Sequence, residues 1–316
     1  MDTQISTIDP NNYDLMAEIM GIPHDNRADT KPGTSLCRMK IWNQSVMGTV
    51  ELQSGELQLK HGRTRKMEVV PGGTFRFDDG SGKFLYTETI TFRPFLQRFR
   101  FSRWLPYATP DARGRKGRFV KSVFTHDYKV FTTSDLMDED GTFNCGRPAG
   151  FVRNWQDLPE DSRKLITSVK RVRAIFGTVS LDKVQNAQGE EVKMDGIPLP
   201  VIWEIENNAA FKIMGEVLQK YRTAGHLFPQ HEISLSTTGA PMANGNMLYQ
   251  PVPEVDLTQT IDIVQTEDSA TLATFQTWVR NYNEFILESH KSKSPTSSFT
   301  SEEQDVIDTF ITVEDT

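Results

Sequence analysis

The stretch FRPFLQRFRFSRW, from Phe92 to Trp104, combines four phenylalanines, four arginines and a tryptophan without one acidic residue. It follows the alternating run TETITF and precedes the loop ATPDARGRKGR, whose proline, glycines and charges exclude regular structure. The stretch is therefore predicted to be a β-strand that leads into a long basic hairpin, completed by the strand pattern FVKSVFTHDYKVFTT.

This basic hairpin belongs to an acidic chain. The 316 residues carry 35 Lys and Arg against 42 Asp and Glu, a formal net charge of -7. Six of the acids lie between Ser301 and Thr316, where there is no Lys or Arg, so the rest of the chain is almost neutral. Between Phe92 and Phe131, ten Lys and Arg face only Asp111 and Asp127. The charge is thus polarised into a basic middle and an acidic end.

The flanking sequence is typical of a mainly β protein with some helices, an α+β fold. Turn residues separate short β-type runs from Leu36 onward, and VKRVRAIFGTVSL is predicted to pair with LPVIWEIE across the turn NAQGEEVKMDG. One helix is expected between the N-cap Asn207 and the stop Gly225, and another from about Ser269 to Glu288. The simplest arrangement is a mostly antiparallel barrel or half-open barrel with long loops.

Three regions are expected along the chain. Residues 1–35 form a leader with a short helix, predicted from about Asn11 to Met20. Residues 36–289 form the core with its inserted helices. Residues 290–316 form a polar linker and a disordered acidic tail.

Several motifs that would indicate an enzyme fail on inspection. DDGSGKF lacks the first glycine of a phosphate-binding loop, and His231-Glu232 is followed by leucine where a zinc-binding helix needs its second histidine. The spacing of Asp182, Glu191 and Lys193 is similar to that of the carboxylates and lysine in a metal-dependent nuclease. The turn-forming residues around them favour a solvated turn instead. No catalytic residue, cofactor or metal is therefore predicted, and the nuclease stays an alternative.

Composition also bears on the compartment. Cys37 and Cys145 are too few for a disulfide framework, although with a histidine they would offer ligands to a metal. The chain contains no apolar run of membrane-spanning length and no signal peptide pattern. A cytoplasmic protein without a membrane partner is expected.

The basic, aromatic segment has two interpretations. In the first, its phenylalanines fill the core and its arginines coat a strand. In the second, cations track phosphates while exposed rings stack on bases, as in proteins that bind single-stranded nucleic acid. The candidate binding residues are the rings and cations of the hairpin together with the nearby KRVR run. They are Phe95, Arg98, Phe99, Arg100, Phe101, Arg103, Trp104, Tyr107, Arg113, Arg115, Lys116, Arg118, Lys121, Lys170, Arg171 and Arg173.

The acidic tail also has two interpretations. A disordered polyanion can occupy a cationic groove weakly and be released to partners when nucleic acid displaces it, with Phe310 as an apolar anchor. Alternatively, the tail only keeps the chain soluble.

The order of these segments resembles the single-stranded DNA-binding proteins of tailed bacteriophages. The resemblance covers about Leu36 to Val255 and rests on TETITFRPFLQRFRFSRW, the basic loop, GTFNCGRPAGF, and VKRVRAIFGTVSL with LPVIWEIE and a helix. It implies an OB-like antiparallel β-barrel that coats single strands during phage replication, recombination and repair in the cytoplasm of the infected bacterium. It also implies a tail that recruits replication proteins such as a polymerase or helicase-primase, although Phe310 is followed here by six further residues.

The predicted function is therefore sequence-tolerant binding of single-stranded DNA without catalysis. A structural or assembly protein of a virion is the main alternative, because β-rich domains with long loops are common there. Oligomeric state and the choice between DNA and RNA stay open.

Overall fold

A computed structural model describes residues 36–51, 64–106, 109, 114, 116–126, 155–157, 159–242 and 245–291. The predicted leader and acidic tail lie outside these residues. The described residues divide into two compact units. Unit A draws on Met1–Gln97 and Arg173–Gln276, and unit B on Arg98–Val172 and Thr277–Thr316.

The described secondary structure is mainly β. The strands are β1 (Cys37–Trp42), β2 (Val46–Glu51), β3 (Thr64–Val70), β4 (Thr74–Asp78), β5 (Phe84–Thr87), β6 (Ile90–Pro106), β7 (Gly117–Lys121), β8 (Val169–Ser180), β9 (Val184–Asn186), β10 (Glu191–Val192), β11 (Leu199–Ile205), β12 (Ile233–Pro241) and β13 (Met247–Glu254). The α-helices are α1 (Glu160–Ser168), α2 (Asn208–Ala224) and α3 (Gln265–Lys291). Short 3-10 helices span Trp155–Asp157 and Phe228–Gln230. The predicted α+β class is confirmed.

The main sheet of unit A is mixed and curls into a half-barrel. Its strands lie in the order β10-β9-β5-β4-β1-β11-β8-β6-β12-β13. The predicted pairing of VKRVRAIFGTVSL with LPVIWEIE is confirmed, since β8 and β11 are antiparallel with Ile175 opposite Trp203. β1 and β11 are parallel, with Cys37 beside Val201, so the sheet is not purely antiparallel. β2 and β3 form a separate two-stranded sheet.

Two predictions of local structure are wrong in detail. Among the short β-type runs expected from Leu36 onward, IWNQSVMGTVEL is not one strand, because a break at residues 43–45 divides it between β1 and β2, which belong to different sheets. NAQGEEVKMDG was expected to be only a turn, but β9 and β10 form a short hairpin around the positive φ of Gly189. Both regions are rich in turn-forming residues, which obscure short strands.

Side-chain hydrogen bonds join β12 and β13, at one edge of the main sheet, to the residues that follow β1 and precede β4. Thr237 Oγ1 on β12 donates to the carbonyl of Gly73 at 2.6 Å, and the amide of Tyr249 on β13 donates to Asn43 Oδ1 at 3.0 Å. Gly73 has φ 90°, and a Cβ there would lie 2.4 Å from the Tyr249 ring. The turn before β4 therefore requires glycine, both for its backbone conformation and for the closeness of Tyr249.

The helix predicted between Asn207 and Gly225 is confirmed as α2. Asn207 Oδ1 accepts hydrogen bonds from the amides of Ala209 and Ala210, and Gly225 ends the helix at φ 73°. A side chain that satisfies otherwise unpaired amides fixes where the helix begins, and a glycine in the left-handed region fixes where it ends. Both signals are local, which explains why the sequence located this helix closely.

The N-terminal turn of α3 is attached to β6 by a charged pair. Arg93 Nη1 and Nη2 donate to Asp268 Oδ1 and Oδ2 at 2.8 and 2.9 Å, while Arg93 Nε donates to the carbonyl of Pro229 at 2.6 Å. Asp268 Oδ2 also accepts from the amide of Val264, ahead of the helix. Further along α3, Phe275 packs on Phe95 with ring centroids 6.0 Å apart. The pair thus positions the apolar face of α3 against the sheet of unit A.

Two histidines of unit A share a short contact. His226 Nδ1 lies 2.6 Å from His231 Nε2, and the rings stack with centroids 4.7 Å apart. An N–H···N bond of this kind needs one neutral acceptor nitrogen. Burial, and secondarily His226, lower the pKa of His231, while the charge of Asp256 acts in the opposite direction. The Tyr221 ring packs against His231 with centroids 5.0 Å apart.

We expect this pair to make the stability of unit A depend on pH. Because the pKa of His231 is lower in the folded state than the ordinary value of about 6.5, its contribution is complete above that pH and is lost on acidification. Stability should fall below about pH 6.5 with a slope of up to about 1.4 kcal/mol per pH unit. His231→Gln should flatten the slope in urea unfolding followed by circular dichroism, whereas His126→Gln, at an exposed histidine, should not. Equal slopes in the wild type and His231→Gln would contradict this prediction.

Candidate nucleic-acid interface

The stretch FRPFLQRFRFSRW forms most of β6, but it is not a strand with one solvated face. Every residue from 94 to 102 is buried, polar and apolar alike. Alternation along a strand distinguishes its two faces, but it does not reveal whether other elements cover both. Phe95, Phe99 and Phe101 are therefore core residues, as the first interpretation expected, and their rings are not exposed for stacking on bases.

Several candidate cations are buried with these rings. The buried members of the predicted site are Phe95, Arg98, Phe99, Arg100, Phe101, Lys121 and Arg173. Arg100 is only 2% exposed, and its Nη1 donates to the hydroxyl of Tyr282 at 2.7 Å within unit B. In unit A, Arg173 Nη1 donates to Gln97 Oε1 at 2.7 Å. Arg98, Arg100, Lys121 and Arg173 therefore do not face solvent, and around Arg100 and Arg173 the polar groups of Tyr282 and Gln97 replace water.

Arg100 and Arg173 also stack on aromatic rings. Arg100 Cζ lies 5.4 Å from the Phe124 ring centroid and 5.7 Å from that of Tyr282. Arg173 Cζ lies 4.3 Å from the Phe211 ring centroid. Cation–π contacts of this kind stabilise a buried guanidinium without an acidic partner. The sequence pattern alone could not distinguish such structural arginines from ligand-binding ones.

A smaller group of candidates is exposed in unit B. Trp104, near the end of β6, is 39% exposed, and its ring lies edge-on to Phe119 of β7 with centroids 4.8 Å apart. Trp104 and Phe119 are register partners, so the predicted β6–β7 hairpin is confirmed at this point. The neighbouring Arg103 is half-buried, and burial lowers its pKa. The hairpin thus holds one large ring at the surface in a fixed orientation.

Exposed cations lie on two other segments of unit B. Lys116 precedes β7, and Lys170 and Arg171 lie at the start of β8 between the buried Val169 and Val172. The described residues of unit B include twelve Lys and Arg but five Asp and Glu. The exposed side chains of Lys116, Lys170 and Arg171 offer positive charge to an anionic partner.

The other predicted site residues fall wholly or partly outside the described residues. Tyr107, Arg113, Arg115 and the tail residue Phe310 lie outside them. For Arg118 the structure describes only the backbone, which belongs to β7 and pairs with Leu105.

The sequence interpretation missed a second group of cations and rings, which lies in unit A. Arg76 Cζ lies 4.1 Å from the Trp42 ring centroid and 4.4 Å from that of Phe84, and Lys40 Nζ lies 5.0 Å from Trp42. We call Lys40, Trp42, Arg76 and Phe84 the Trp42 patch. Its signal was present as alternation in CRMKIW and TFRFD, but the segments are far apart along the chain and only the pairing of β1 with β4 unites them.

The described residues give little support to metal chemistry. Within them, no group of three or more His, Cys, Asp or Glu side chains is arranged to hold a metal ion. Asp182, Glu191 and Lys193 are exposed around the β9–β10 hairpin, consistent with the predicted solvated turn. Cys37 is buried, and burial raises the pKa of its thiol to about 12, which disfavours the thiolate that metals bind. Cys145 lies outside the described residues.

Comparison with protein-family models, with curated proteins and with solved structures finds no match for this chain. In the described part of the chain, no helix has the length and apolar character to cross a membrane. Support for a function therefore lies in the geometry and charge of the side chains.

Proposed function

We propose that this chain is a sequence-tolerant single-stranded DNA-binding protein, acting without catalysis, that protects single strands during phage replication and recombination. The observation that carries the proposal is the exposed Trp104 ring in a unit whose described residues also expose the cations Lys116, Lys170 and Arg171. The curled, mainly β sheet of unit A is compatible with a β-barrel-like α+β fold, of which the OB-like barrel implied by the phage resemblance is our more specific proposal. Unit B supplies the interface with Trp104, Lys116, Lys170 and Arg171.

The chemistry of these residues suits a single strand. A base stacked on an aromatic ring contributes about 1–3 kcal/mol whatever its identity, because every base has a π face. Lysine and arginine neutralise phosphates and release counterions, which adds affinity without selecting a sequence. A duplex keeps its bases stacked on one another, so an exposed ring favours unpaired strands.

The acidic tail has a regulatory role in this proposal. Ser301–Thr316 carries six acids and Phe310. A tail of this charge competes with phosphates for the cations of unit B and is released when DNA binds, which makes it available to phage replication proteins. Deletion of the tail should therefore tighten DNA binding, most strongly at low salt.

Replacing Trp104 by alanine tests the proposal directly. Loss of one stacked base should weaken binding to an oligothymidine by about 5- to 150-fold, which corresponds to about 1–3 kcal/mol. Lys170→Gln with Arg171→Gln should also flatten the dependence of log K on log salt by about 0.7 for each phosphate that the variant no longer neutralises. Fluorescence anisotropy over a salt series measures both effects.

Two controls make the result interpretable. Ile197→Ala removes a strongly exposed apolar side chain of unit A and should leave both affinity and salt dependence unchanged. The melting temperature of Trp104→Ala should fall much less than that of Phe99→Ala, because Trp104 is 39% exposed and Phe99 only 4%. Equal affinity for single and double strands at low salt would overturn the proposal.

A further inference from the structure

The Trp42 patch is built by three adjacent strands of unit A. Across the sheet, Lys40 on β1 is the register partner of Arg76 on β4, which is in turn the partner of Tyr86 on β5. Trp42 and Phe84 lie two residues from Lys40 and Tyr86 on their own strands, so period two places them on the same face. The alternating sequence therefore gathers two cations and two rings on one surface.

Arg76 is the centre of the patch. Its guanidinium contacts the Trp42 and Phe84 rings, with Cζ 4.1 and 4.4 Å from their centroids. Arg76 itself is 6% exposed, whereas both rings and Lys40 are half-buried. The guanidinium thus packs against both rings, and Trp42 and Phe84 are each partly exposed.

Two donors in the patch have no acceptor. Trp42 Nε1 and Arg76 Nε are both buried atoms without a hydrogen-bond partner in this structure. Leaving a buried donor unsatisfied costs about 1–3 kcal/mol, so such atoms call for a specific explanation. Because both atoms are donors, a hydrogen-bond acceptor such as a phosphate oxygen would satisfy them.

The charge of the patch also favours an acceptor with negative charge. Arg38, Lys40 and Arg76 lie on this face, where Asp78 is the register partner of Arg38. A purely structural cation–π stack would explain the two contacts of Arg76, but it would not explain two unsatisfied donors beside partly exposed rings.

We propose that the Trp42 patch binds a nucleotide of single-stranded DNA, with the base on the Trp42 or Phe84 ring and a phosphate oxygen at the two Nε donors. This second contact rests on the proposed function and is separate from the Trp104 surface. A phosphate reaches the donors when the Trp42 ring tilts outward, which its partial exposure permits. Stacking fixes the base without selecting its identity, so the contact is sequence-tolerant.

Photo-crosslinking of the full chain tests this inference. An oligothymidine in which 5-iododeoxyuridine replaces scattered thymidines is bound, irradiated and digested, and the trypsin peptides that carry nucleotide are identified by mass spectrometry. We expect adducts on Ile41–Lys60, which contains Trp42, as well as on Trp104–Arg113, which contains Trp104. Trp42→Leu should remove the first adduct, keep the second and weaken affinity by about 5- to 150-fold.

Variants and outcomes separate the two proposals. Trp42→Phe retains a ring but loses the Nε1 donor, so its affinity should lie between those of the wild type and Trp42→Leu, which distinguishes stacking from loss of packing if the leucine variant is poorly folded. Adducts on Trp104–Arg113 alone, with affinity unchanged in Trp42→Leu, would overturn the second contact and leave the proposed function intact. Absence of single-strand binding in the wild type would overturn both.

Discussion

Asp268→Ala is expected to lower the free energy of unfolding of unit A by about 3–4 kcal/mol. The change removes the two carboxylate oxygens that accept from Arg93 Nη1 and Nη2, and with them the acceptor of the Val264 amide. The Arg93 and Asp268 side chains are only 17% and 6% exposed, so water replaces the carboxylate poorly. An unpaired buried charge costs more than the intact pair contributes, which is why truncating one partner has so large an effect.

Urea unfolding at neutral pH measures this loss. Glu267→Ala provides a matched control, because it removes the neighbouring acid of the same helical turn at an exposed position and should cost less than about 1 kcal/mol. Arg93→Met combined with Asp268→Leu should recover much of the stability, since the double variant leaves no buried charge unpaired. A loss in Asp268→Ala no larger than in Glu267→Ala would show that the pair is unimportant.

Gly177→Ala is expected to destabilise unit A by about 3 kcal/mol. Gly177 lies in β8 beside Phe92 and Arg93 of the neighbouring strand β6. An added Cβ would lie 2.4 Å from the Arg93 carbonyl oxygen and 2.5 Å from the Phe92 ring. The oxygen is main chain in the interior of the sheet, so the strand itself must shift to accept one methyl group. Phe92 is also held edge-on to Trp203, with centroids 6.2 Å apart, so its ring has little freedom to move.

Thr178→Ala is the appropriate comparison for Gly177→Ala. Thr178 is the next residue of β8 and is half-buried, so its truncation should cost less than about 1.5 kcal/mol. Thermal unfolding followed by near-ultraviolet circular dichroism reports the packing of Trp203 and Phe92 at the same time. If Gly177→Ala were as stable as Thr178→Ala, the close approach of β8 to β6 would not exist in solution.

The elements that the sequence predicted well are those with local signals. Asn207 and Gly225 bound α2 through contacts within a few residues, and β8 pairs with the next long strand, β11. The parallel pairing of β1 with β11 was not predicted, because it joins Cys37 to Val201 and leaves no mark on either segment. Hydrophobic periodicity predicts that a segment is a strand, but it does not predict which distant segment pairs with that strand.

The candidate site was predicted less completely for the same reason. Composition drew attention to the arginines of β6, but Arg100 became a core residue through Tyr282, which lies far along the chain. Among the described candidate rings, Trp104 lies near the end of β6 and is exposed, whereas Phe95, Phe99 and Phe101 are buried. The Trp42 patch was missed because Trp42, Arg76 and Phe84 come from three separate strands.

Unit A is assembled from two stretches of sequence, and this has a consequence for synthesis on the ribosome. When the nascent chain has emerged as far as Gln97, β1 still lacks β11, its parallel neighbour in the finished sheet. That edge of β1 must therefore wait for its partner while all of Arg98–Val172 is translated. An unpaired strand edge is open to wrong partners, so this topology favours slow folding during translation.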